Sequence, residues 1–231
     1  MNGKIIKMII VAAGLGATAP VAAATTVLDF AGNICGAAGA SPCSNGTQIG
    51  QSYGDSAGID VAYRSILTSN NTTAETNLKA WAQNYGDLVN VVWGGFDGAN
   101  YRSEITFTPT AGFEVALISL DAGCYFNRAS CQLLNYDIRS VGGSLIASGA
   151  TPTLFPSHAT LAVNSAYFTS GIVLSWGPDG YDVGLDNIAF DVRAIAAPGI
   201  PEPATWALMI GGFVMVGGAV RARRPLARVA A

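Results

Sequence analysis

The chain has 231 residues, 50% of them hydrophobic and 12% charged, with a formal net charge of −3. That charge is segregated: residues 25–200 carry 6 Lys+Arg against 14 Asp+Glu, a net of −8, which Lys4 and Lys7 at one end and Arg221, Arg223, Arg224 and Arg228 at the other conceal. So acidic a body repels nucleic acid and anionic headgroups, which disfavours a polyanion-binding role.

The first 24 residues, MNGKIIKMIIVAAGLGATAPVAAA, place Lys4 and Lys7 before an apolar run from Met8 to Ala19 and end in the small residues Ala22-Ala23-Ala24. This is the pattern of a secretory signal peptide cleaved by signal peptidase after Ala24. The short apolar run and Pro20 argue against an uncleaved anchor.

Residues 25–195 are long enough for one domain with a real core. Four cysteines fall in two close pairs, Cys35 with Cys43 and Cys124 with Cys131. Export to an oxidising compartment and the short separations favour two local disulfides. A metal role for them fails, because neither pair is C-x-x-C and His158 is the only histidine.

No convincing helical periodicity occurs in this body, whereas apolar and polar residues alternate between clusters of glycine and asparagine. TTAETNLKAW (72–81) reads as strand rather than short helix. ITFTP turns Ile105 and Phe107 to one side, and FEVALISL from Phe113 reads as buried on both. LLNYDI alternates Leu134, Tyr136 and Ile138, and Gly142-Gly143 before SLIAS predicts a tight hairpin. GIVLSW aligns Ile172, Leu174 and Trp176. In LDNIAFDV, parity places Asp186, Ile188, Phe190 and Val192 inward. Short strands, turn signals and abundant glycine predict an all-β fold, a single β-sandwich of jelly-roll type.

Beyond it, residues 196–203 form a proline-rich linker ending in Pro201-Glu202-Pro203. Residues 204–220 are 17 consecutive uncharged residues, about 25 Å as a helix, the low end for a transmembrane span. Trp206 stands where an interfacial anchor belongs. Arg221, Arg223 and Arg224 open a basic tail over 221–231 that would stop transfer and stay in the cytoplasm.

The whole stretch PEPATWALMIGGFVMVGGAVRARR resembles the PEP-CTERM sorting signal of Gram-negative bacteria in its PEPxxWA form: Pro201, Glu202 and Pro203, two residues, Trp206-Ala207, a glycine-rich apolar helix and a basic end. The resemblance implies recognition of Pro201, Glu202 and Pro203 by an exosortase, a membrane-embedded transpeptidase-like cysteine enzyme, with processing near that motif. It further implies a transient stay in the inner membrane with the body in the periplasm, then delivery to the cell surface or extracellular polymer matrix. LDF (28–30), QSYGD (51–55), WAQNYGDLVNVVW (81–93) and VGLDNIAFDV (183–192) are similar to segments of the β-sandwich bodies that precede such signals, and more loosely to carbohydrate-binding jelly rolls.

Chemistry-bearing residues are sparse. GDSAG (54–58) matches G-x-S-x-G, with Ser56, Asp97 or Asp137, and His158 in hydrolase order, but the alternating IDVAY that follows is not the helix a nucleophile elbow requires. Glu75, Glu104 and Glu114 are the glutamates of the body; only Glu104 and Glu114 could meet across strands as a glycosidase pair. Asp186, on the inward face, needs a partner. Either it ligates a structural Ca²⁺ with oxygens of GPDGYDVGLDN, including Asp179 and Asp182, to which the resemblance to carbohydrate-binding jelly rolls adds Asp29 of the first strand, or it is held by backbone amides. Trp81, Tyr85, Trp93, Tyr101 and Tyr181 are either a sugar-stacking platform or core. The expectation is thus a non-enzymatic exported protein, structural or adhesive, without a cofactor. The alternative is a carbohydrate-binding module, calcium-stiffened, whose partner is extracellular polysaccharide.

Overall fold

The computed structural model describes residues 24–94, 100–178, 180–195 and 203–222. The expected signal peptide up to residue 23, and Pro201, Glu202, Arg223, Arg224, Asp97 and Asp179, lie outside the described residues. The chain divides into two units, Met1–Ala194 and Ile195–Ala231.

The first unit is built of strands, as the alternation dictates. They are β1 Ala24–Leu28, β2 Ile59–Leu67, β3 Thr73–Glu75, β4 Lys79–Trp81, β5 Val91–Trp93, β6 Tyr101–Pro109, β7 Phe113–Cys124, β8 Leu133–Ser140, β9 Leu145–Pro152, β10 Ala159–Ala162, β11 Ile172–Trp176 and β12 Val183–Ala194. TTAETNLKAW supplies β3 and β4, as expected. All pairings are antiparallel. The first sheet runs β10-β7-β12-β5-β4 with β1 also on β12; the second runs β3-β2-β6-β11-β8-β9.

The sheets share one core. Phe107 of β6 and Phe190 of β12 bring ring centroids to 5.0 Å, and the Trp176 indole of β11 donates to the Val183 carbonyl of β12 at 3.1 Å. In β2 the inward residues Ile59, Val61 and Tyr63 are buried while Asp60, Ala62 and Arg64 are exposed, the expected period of two. The β8–β9 hairpin turns through Gly143, at φ 91°, which a side chain would resist.

Two expectations of face are corrected. Leu185 and Ile188 are both fully buried although three residues apart. A bulge reconciles them: the β12–β7 register shifts after Asp186, and Asn187 adopts φ 48°. The extra residue reverses parity, so Asp186 lies on the face opposite Leu185, not inward with Ile188 and Phe190. Glu104 and Glu114, expected as possible neighbours across strands, belong to β6 and β7 in different sheets.

Both local disulfides are present, with sulfurs 2.05 Å apart in Cys35–Cys43 and 2.04 Å apart in Cys124–Cys131. The second unit contains α1, Pro203–Ala222. Leu208 and Met215 on one side of it and Phe213 on another are 71%, 73% and 73% exposed. Among the described residues no helix is long and apolar enough to cross a membrane, and the span expected over 204–220 is not shown.

Candidate functional site

The aromatic residues separate. Trp81, Tyr85, Trp93 and Tyr181 gather with Tyr125, whereas Tyr101 opens β6 outside this group. Trp81 meets Trp93 and Tyr125 edge to face, with centroids at 5.8 and 5.7 Å, and Trp93 meets Tyr181 at 4.8 Å. The rings thus spend their faces and edges on one another, as in a core. Burial, with the Asp182 charge nearby, pushes the Tyr85 hydroxyl far up, and it donates to the Tyr181 carbonyl at 2.7 Å. Beside it Asp182, 2% exposed, is engaged by Arg128 at 2.7 Å and by Ser130.

The carboxylates expected at a calcium site are also dispersed in their duties. Asp29 accepts from the Tyr53 hydroxyl at 3.1 Å and from the Ala31 amide at 3.2 Å. Asp186 accepts the Asn187 amide at 2.7 Å and stands directly across from Asp121 of β7. Asp121 in turn accepts from Thr160 and from Asn187 at 2.6 and 3.0 Å. Burial first, then the Asp121 and Asp29 charges, push the Asp186 carboxyl up to about 7 against the pull of the Asn187 amide. Among the described residues no three His, Cys, Asp or Glu side chains are placed to hold a metal ion. The Asn187 amide on Asp186 is the kind of contact that the backbone-amide alternative expects.

Among the described residues Ser56 and His158 have separate partners. His158 contacts Asp87 at 2.9 Å and Asp121 at 3.8 Å, whereas the exposed Ser56 receives only the Gly58 amide at 3.4 Å. Glu75 and Glu114 are ion-paired with Lys79 and Arg193, each at 2.9 and 2.7 Å respectively.

A cleft on the solvent side of the second sheet went unnoticed in the sequence. Register aligns Arg64 of β2, Glu104 of β6, Ser175 of β11 and Asp137 of β8 in one cross-strand row. Arg102, opposite Ile66, lies one step along β6; Arg139, opposite Val173, lies one step along β8 in the other direction. These residues line an open cleft of about 580 Å³, within the roughly 300–1,000 Å³ of ligand sites. Arg64 grips Glu104 through Nε and Nη2, while Arg139 grips Asp137 through Nε and, at 2.9 Å, Nη2. Donating these hydrogen bonds to Asp137, with the Asp137 charge beside it, pushes the Arg139 guanidinium still further up. Arg102 differs: its Nε is buried without a hydrogen-bond partner, and so is the Oγ of Ser175, a residue only 6% exposed. Alternation marks such residues merely as outward; only strand pairing reveals that they form a row.

Of the sorting motif, Trp206 and Ala207 lie in the first turns of α1, with Trp206 52% exposed; Pro203 is its first residue, and Arg221 stands in its last turn. No family model matches the chain, and no curated protein matches it.

Proposed function

We propose that this chain is a non-enzymatic exported protein whose jelly-roll-like sandwich is delivered by a PEPxxWA-type tail to the cell envelope or extracellular polysaccharide matrix, for structural or adhesive service. The observation that carries this reading is the tail itself: α1 is apolar on all sides and lacks a polar stripe, which fits lipid better than a protein core. Its uncharged run, about 25 Å as a helix, is short for a lasting membrane span. Pro201, Glu202 and Pro203 precede the helix as the recognition core for an exosortase-like enzyme. The two local disulfides support passage through an oxidising compartment after signal peptidase has acted.

Arginine forks on Glu104 and Asp137 support the non-enzymatic reading, since each occupies the carboxylate that a glycosidase needs free. The cleft they line favours a second reading, saccharide binding, for the same delivered protein. Mass spectrometry of the mature protein from its native cells tests the first. We expect an N-terminus at Thr25 and a C-terminus near Pro203; a chain retaining residues beyond Val220 at its destination defeats the sorting reading.

A further inference from the structure

The cleft of the second sheet has an electrostatic character unlike the rest of the body. Of the body's six Lys and Arg, three, Arg64, Arg102 and Arg139, line it. Against them stand Glu104 and Asp137, which leaves a local net of +1 on a body of net −8. Two of these arginines are spent on the two acids in the cleft. Arg102 alone brings a charge that no carboxylate among the described residues answers, with its Nε unpartnered and buried. Arg102 lines the cleft, so a carboxylate entering it meets the guanidinium with charge-assisted hydrogen bonds.

The rest of the lining decides what carries that carboxylate. The row Arg64, Glu104, Ser175 and Asp137 presents donors and acceptors in alternation, and the Ser175 Oγ is unpartnered like Arg102 Nε. Paired planar acids and bases of this kind give and receive hydrogen bonds together, which matches the hydroxyl groups of a sugar, each both donor and acceptor. A nucleic acid strand offers repeated phosphates, for which a local excess of one positive charge is too small and the surrounding field is repulsive. We infer that this cleft binds a carboxylate-bearing saccharide, a hexuronate unit, with Arg102 holding the carboxylate and the Arg64–Glu104 and Arg139–Asp137 pairs holding hydroxyls. The inference rests on the saccharide-binding reading above and is independent of how the tail is processed. It also reverses, at one place, the aversion to anions that bulk charge imposes.

The test is calorimetric titration of the full chain, solubilised in an uncharged detergent, with trigalacturonate and with its fully methyl-esterified form. Ionic strength is held near 0.15 M, where repulsion beyond about 8 Å is screened. Trigalacturonate is expected to bind at least tenfold more tightly than the ester. Arg102→Gln should cost tenfold or more for the acid and little for the ester, while Arg193→Gln, on the other sheet, should change neither. Should Arg102→Gln unfold the chain, the ¹⁵N resonance of Arg102 Nε in the unmutated protein is followed instead, and it must shift during titration with the acid. Equal binding of acid and ester overturns the role of Arg102 but leaves saccharide binding standing. Absence of binding to either overturns both, and leaves the sorting reading untouched. Arg102-dependent binding of an oligothymidylate as tight as that of trigalacturonate also overturns the inference, by making the ligand a phosphate.

Discussion

Asp186 is 5% exposed and sits across the strand pair from a second carboxylate, Asp121, with Asp29 and His158 also within its electrostatic reach. Burial raises its folded value to about 7, whereas an unfolded aspartate titrates near its ordinary 3.8. Between those values the folded chain holds a proton that the unfolded chain lacks. The stabilisation is therefore complete below about pH 4 and is lost as pH rises through about 7. Thermal unfolding should accordingly show a lower Tm at pH 8 than at pH 5. Asp186→Asn, which keeps an acceptor for the Asn187 amide but no charge, should flatten that difference and raise stability at pH 8 by about 1–2 kcal/mol. An unchanged pH profile in the variant would place the titration elsewhere.

At the scale of elements, β7 and β12 form the longest pairing of the first sheet and carry the bulge at Asn187. The loop through Tyr85 closes upon them. Tyr85 bridges to Tyr125, and a Cβ added at Gly123 of β7 would stand 2.2 Å from the Tyr85 carbonyl oxygen. Backbone cannot yield there as the end of a flexible side chain can. Gly123→Ala should therefore cost about 1–3 kcal/mol, and more if the loop is forced away. Urea unfolding measures it, with Gly143→Ala as a comparison in which φ strain acts without steric contact. If Gly123→Ala proves no worse than about 0.5 kcal/mol, the loop is not seated on β7 as described.

At the scale of the whole molecule, the twelve strands of the described residues and both disulfides fall in the unit that ends at Ala194, and α1 belongs to the other. The buried core residues described all lie in the first unit. Truncation after Ile195 should leave the Tm of the body within about 2 °C of the full chain, a shift smaller than about 1 kcal/mol produces in a domain of this size. The same truncation in cells should abolish delivery while sparing export. Calorimetry and localisation of a fluorescent fusion read the two separately.

Strand content, the hairpin at Gly143 and the local cysteine pairs were legible in the residues themselves. Each depends on neighbours in sequence: alternation, a turn residue, a spacing. Asp186 shows where such reading stops. A single extra residue at Asn187 reverses every later parity, and nothing in LDNIAFDV distinguishes a strand that bulges from one that does not. The aromatic residues, equally visible as a set, divided into a packed cluster and an outlier according to which strands bear them. Arg64, Arg102, Glu104, Asp137, Arg139 and Ser175 are scattered over more than a hundred residues of chain. What made them a cleft was the order β2-β6-β11-β8 and its register, because cross-strand neighbours a few ångströms apart are chosen by the global pairing of strands and not by local pattern.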